Sequence, residues 1–115
     1  MNLFENLEDV APREEPLAAG AVVLRKFALS DESALLAALR DVTSRAPFRH
    51  MTTPGGYRMS VAMSNCGAAG WVSDRSGYRY AAADPESGFP WPPMPAVLAP
   101  LAARAAAAGG FDGYA

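Results

Sequence analysis

The chain has 115 residues, half of them apolar, and a formal net charge of −2, which fits one globular domain and argues against a strongly basic nucleic-acid binder. One cysteine, Cys66, excludes an internal disulfide and suits a reducing cytoplasm, and one histidine, His50, excludes a two-histidine facial triad or an ordinary zinc site built from this chain alone. There is no Walker loop, no GxSxG elbow, no signal-peptide core in MNLFENLEDV and no membrane-spanning apolar run, since Pro100 and Arg104 break the Ala-rich tail.

Residues 1–16 read as an acidic leader, with Glu5, Glu8, Asp9, Glu14 and Glu15 against Arg13. AVVLRKFAL (21–29), β-branched and opened by Gly20, predicts a strand. Ser30 is a suitable N-cap, and Asp31 and Glu32 stand where a helix dipole favours acids, so a helix is predicted from there to about Arg45. Leu35, Leu39 and Val42, beside Leu36 and Ala38, form its apolar stripe, and Pro47 ends it. FRHM (48–51) predicts a short strand and TPGG (53–56) a turn.

YRMSVAMSNC (57–66) alternates with period two. Tyr57, Met59, Val61 and Met63 share a face; Arg58, Ser60, Ala62 and Ser64 share the small or polar one, so one covered and one open face are expected. GAAG (67–70) turns the chain into WVSD (71–74), and RSG turns it again into YRYA (78–81). An antiparallel meander over 48–81 is the expectation. DPESGFPWPPMP (84–95) reads as a stiff connection with Trp91 in a spacer. AVLAPLAARAAAAGG (96–110) predicts a helix that Pro100 kinks or starts near residue 99, capped by Gly109 or Gly110. FDGYA reads as the approach to a further strand. These elements leave an apolar sheet face without a second layer, as in the first part of a larger fold.

Charge is unevenly spread. Residues 17–80 carry eight basic and four acidic side chains. Arg45, Arg49, Arg58, Arg75 and Arg79 interleave with Phe48, Tyr57, Trp71, Tyr78 and Tyr80. Cations for phosphates and flat rings for bases are what a single-strand or flipped-base surface requires. A solvated strand face with ordinary cross-strand aromatic pairs has the same pattern, and the pattern alone leaves both open. The methionines sharpen the question, because a core strand more often uses Val, Ile or Leu, while Met suits a surface that must conform to something flat.

EPLAAGAVVLRKFAL, PFRHMTTPGGYRMSVAMSNCGAAGW, GYRYAAADP and WPPMP closely resemble the amino-terminal part of the AlkB family of iron(II)- and 2-oxoglutarate-dependent DNA dealkylases. The resemblance covers the chain from Glu15 onward. It implies an α+β fold, with an outer strand and helices plus an antiparallel nucleotide-recognition lid (about 48–82) of a double-stranded β-helix, or jelly-roll, dioxygenase. The domain division implied is a leader at 1–16 and an AlkB-like portion at 17–115, with the catalytic core absent. The family oxidatively removes N-alkyl groups from damaged bases. By resemblance, Met63 and Trp71, the latter on an expected loop after two glycines, contact and stack on the extruded base. Tyr78 and Tyr80 offer hydroxyls to base or phosphate, Thr53 and Tyr57 form a phosphate-contacting turn, and Met59 and Ser60 support them. Arg79 is a candidate phosphate contact.

The family's His-x-Asp motif, distal His and 2-oxoglutarate ligands would lie beyond Ala115. No metal or cofactor site is therefore expected in this chain, and the chain alone is expected to be catalytically incompetent. The implied partner is alkylated DNA, single-stranded preferred, with RNA as an alternative. A monomer in the cytoplasm, away from membranes, is expected. Rival readings are a non-catalytic single-stranded nucleic-acid-binding module and an incomplete product without activity.

Overall fold

A computed structural model describes residues 13–113. The elements in chain order are β1 (Arg13–Ala18), β2 (Ala21–Arg25), a 3-10 turn (Leu29–Asp31), α1 (Glu32–Arg45), β3 (Arg49–Thr52), β4 (Arg58–Met63), β5 (Gly70–Asp74), β6 (Gly77–Ala81) and α2 (Leu98–Ala108). This is a mixed α/β chain of antiparallel strand pairs and two helices. It divides into two compact units, one of residues up to Leu35 and from Ala96 onward, the other Leu36–Pro95, with the division inside α1. No helix among the described residues is long and apolar enough to cross a membrane.

In the first unit β1 and β2 form an antiparallel hairpin, with Glu15 opposite Val23 and Glu14 opposite Leu24. Residues 13–16, expected to belong to the acidic leader, are thus part of a strand; residues 1–12 lie outside the described set. REEPLA is exposed along its whole length, so no buried face imprinted an alternation on it. Ladder hydrogen bonds and the Arg25–Glu15 ion pair hold it instead. β2 stops earlier than expected because Lys26 takes a left-handed φ of 62°, costly for a residue with a Cβ. Ser30 lies inside the 3-10 turn rather than at a helix N-cap.

Asp31 meets Arg104 of α2 at 2.9 Å. α2 starts at Leu98 and runs through Pro100, the third residue of its first turn. Amides there have no intrahelical acceptor, so a residue lacking an N–H loses nothing. At the other end the Gly109 N–H reaches the Ala105 carbonyl at 3.0 Å, and Gly110 has φ 93°. Asp112 and Gly113 form a turn and Phe111 lies in neither helix nor strand; residues 114 and 115 of the expected approach to a strand lie outside the described residues. No described side chain of this unit is fully buried.

The second unit holds the core. Ala46, Met51, Val72 and Trp91 form its buried cluster, Val72 only 1% and Trp91 5% exposed. Val42 is the one buried residue of α1; Leu36 and Leu39, on the expected apolar stripe, are exposed. The expected meander is two separate hairpins, β3–β4 and β5–β6. The Ser73 hydroxyl links them by donating to the Thr52 carbonyl at 2.7 Å. The proline-rich segment is no spacer, since its Trp91 fills the core and donates its indole N–H to the Ala81 carbonyl at 2.9 Å.

Candidate nucleic-acid interface

The turn between β3 and β4 is closed three ways. The Thr53 N–H donates to the Tyr57 carbonyl (2.7 Å), the Gly56 N–H to the Thr53 carbonyl (2.9 Å) and the Tyr57 N–H to the Thr53 hydroxyl oxygen (3.0 Å). Gly56 has φ 92°, which only glycine adopts freely. The Thr53 hydroxyl accepts within the turn, and its own hydrogen has no acceptor among the described residues. Tyr57 is 77% exposed.

β4 presents two half-buried methionines. Met59 and Met63 pack against the core cluster, and Val61 between them is exposed. The expected covered face is therefore covered at two positions only. Ser60 lies on the opposite, exposed side of the strand.

Trp71 lies in strand β5, not on a loop, directly opposite Tyr80. It is half-buried, packs on the core and stacks on Tyr78 with centroids 5.6 Å apart and planes 17° from parallel. Tyr78 and Tyr80 are largely exposed. The aromatic pair stands on a pinned base. The Asn65 side-chain amide donates to the Trp71 carbonyl at 3.0 Å, and Trp91 holds the Ala81 carbonyl across the strand pair. Gly70 sits between them; a Cβ there would come 2.5 Å from Asn65 and 2.8 Å from the Trp91 indole nitrogen. Gly70 is needed for close approach rather than for turning. Sequence reasoning missed the Asn65–Gly70–Trp91 clamp, and its one visible signal was a tryptophan inside a proline-rich run.

The arginines fall into two groups. Arg49 is bound to Asp84 and Glu86. Burial pushes the Asp84 carboxyl up, but the Glu86 backbone N–H and the Arg49 guanidinium outweigh it, leaving its pKa below the ordinary value. Arg79, a candidate phosphate contact, grips Asp74 with two bonds of 2.8 and 2.9 Å. That bond, with the Ser76 N–H, holds the Asp74 carboxyl below its usual range. Arg79 is thus already engaged. Arg58 and Arg75 are exposed and have no ion-pair partner among the described residues.

Two clefts of about 270 Å³ flank the Arg49–Asp84–Glu86 network. None of the predicted contact residues lines either; Tyr57, Tyr78 and Tyr80 are exposed and Met59, Met63 and Trp71 half-buried. The described residues contain no group of three or more His, Cys, Asp or Glu able to hold a metal. The exposed His50 donates its Nδ1 hydrogen to the Met59 carbonyl at 3.0 Å, and Asp74, Asp84 and Glu86 are all engaged by arginine. These residues do not fit an iron centre.

Residues 20–115 match the 2OG-Fe(II) oxygenase superfamily. The chain is 51% identical over 112 residues to the alpha-ketoglutarate-dependent dioxygenase AlkB of Escherichia coli (strain K12), covering 97% of this chain and 52% of that protein. It is 53% identical, with the same coverage, to the protein of that name in Salmonella typhimurium. An AlkB homolog of Caulobacter vibrioides is 45% identical over 73 residues, 64% of this chain and 33% of the relative. The chain spans about half the length of the first two relatives. On the extent of the match from residue 20 to residue 115, this chain belongs to the 2OG-Fe(II) oxygenase superfamily.

Proposed function

We propose that the chain is the substrate-recognition portion of an AlkB-like DNA repair dioxygenase that removes N-alkyl groups from damaged bases, with β3–β6 as the lid that holds an extruded base. The observation that carries this reading is the Trp71–Tyr78 stack. A half-buried indole offers a π-face on a backbone pinned by Asn65 and Trp91, so little ordering remains to be done on binding. Met59 and Met63 supply a polarizable surface that conforms to different alkyl groups. The hydroxyls of Thr53, Tyr57, Tyr78 and Tyr80 are the polar contacts to base and phosphate.

The reading assigns this chain recognition; dealkylation is proposed for the whole enzyme, with iron(II) and 2-oxoglutarate supplying the oxidation. A jelly-roll core belongs to that whole enzyme as well. Single-stranded DNA is the preferred partner because no base pair must be broken before extrusion; RNA is the other candidate. The lone cysteine supports a cytoplasmic setting, and the reading is of a monomer.

The test is fluorescence anisotropy with a labelled single-stranded oligonucleotide carrying one N-alkylated base. Stacking on an aromatic is worth about 1–3 kcal/mol per base, so Trp71→Ala should weaken binding about 5- to 150-fold. Unchanged affinity, with the variant still folded, would overturn the reading.

A further inference from the structure

The recognition surface has rings and hydroxyls, but the backbone of a nucleic acid also brings one negative charge per nucleotide. The ion pairs identify which cations are free to meet it. Arg49 and Arg79 are held by carboxylates, and Arg45 pairs with Asp41. Arg75 is exposed beside the turn that carries Thr53 and Tyr57. A Cβ built on Gly56 would fall 2.9 Å from an Arg75 guanidinium nitrogen and 3.2 Å from its central carbon. The guanidinium therefore lies against the bare backbone of Gly56. The carboxylate next to it in sequence, Asp74, has both oxygens bonded to Arg79. That pairing leaves the charge on Arg75 uncompensated. Arg58, directly after Tyr57, is a second exposed arginine without an ion-pair partner among the described residues.

We propose that Arg75, seated on Gly56 of the turn that carries Thr53 and Tyr57, forms a phosphodiester-binding subsite of the lid with the Thr53 hydroxyl, and that Arg58 adds charge to it. A guanidinium fork meets two phosphate oxygens at once, which Lys cannot reproduce. Arg79 acts indirectly by neutralising Asp74. This inference rests on the recognition reading above and goes beyond it by assigning a phosphate contact to Arg75 rather than to Arg79, which Asp74 holds.

The test is a salt titration of oligonucleotide binding by the full chain, with paired alkylated and unmodified single strands. Each phosphate contact on a single strand contributes a slope of about −0.7 in log K against log salt. Arg75→Ala should flatten the slope by about that amount and weaken both oligonucleotides equally. Its deficit relative to the parent should then shrink about 2.6-fold between about 50 and about 200 mM salt. Arg75→Lys should keep the slope and bind more weakly than the parent. Arg40→Ala, which removes another exposed arginine without an ion-pair partner among the described residues, should change neither. An unchanged slope in Arg75→Ala, with or without a lower melting temperature, would make Arg75 a brace for the turn and overturn the proposal. The two readings fail differently. If Trp71→Ala weakens binding while Arg75→Ala keeps the slope, only the phosphate subsite falls; if the parent binds neither strand, both fall.

Discussion

Trp91→Phe separates a structural tryptophan from a recognition tryptophan. Trp91 is 5% exposed, in contact with Ala46, Met51 and Val72, and its indole N–H satisfies the Ala81 carbonyl at 2.9 Å. Phenylalanine keeps much of the apolar volume and removes the donor. An acceptor left unsatisfied costs about 1–3 kcal/mol. For a chain of this length each kcal/mol moves Tm by about 4 °C, so a drop of about 4–12 °C is expected. Trp91→Ala should cost more, about 3–5 kcal/mol, because it also opens a cavity. Trp71→Phe is the comparison. Trp71 is half-buried, and its indole N–H has no hydrogen-bond partner among the described residues, so its Tm should stay within about 4 °C of the parent. Melting followed by circular dichroism reads all three. A Trp91→Phe protein melting with the parent, or a larger loss from Trp71→Phe, would refute the assignment of the two rings.

Acid should weaken the second unit. The Asp74 and Asp84 carboxyls sit below their ordinary pKa, so the folded state binds fewer protons than the unfolded one just below about pH 4. Their stabilisation is complete above that pH and is lost as pH falls through the folded values. Tm should fall with pH in that window, and Asp84→Asn should show a flatter fall; equal slopes would contradict it. For iron, isothermal titration of the purified chain with iron(II) should show no tight stoichiometric site, and no 2-oxoglutarate should be decarboxylated. One equivalent bound tightly would contradict the ligand assignment.

What was legible in the sequence was the part written in local chemistry. Pro54 and the glycines after it marked the β3–β4 turn, and alternation marked β4. Acids before a leucine stripe placed α1 within a residue of its observed start. What failed depended on distant partners. β1 has no apolar alternation because both its faces are exposed, so only its pairing with β2 reveals it. Trp91 lies among prolines that suggest a connector, and its burial depends on Met51 and Val72, far away in the chain. Arg79 and Arg75 are equally basic in sequence, and only the Asp74 contact tells them apart. Of the candidate site, the rings and methionines were legible from residue type. Ser60 lies on the exposed side of β4, the polar face that the alternation assigned to it.

The most direct measurement of the central claim is tryptophan emission during titration with an N-alkylated single-stranded oligonucleotide. The chain has two tryptophans, one buried in the core and one on the proposed platform. A base stacked on Trp71 should quench part of the emission saturably, and the quench should vanish in Trp71→Phe, which retains Trp91. Binding that leaves the emission unchanged, or a quench that survives in Trp71→Phe, would contradict the account.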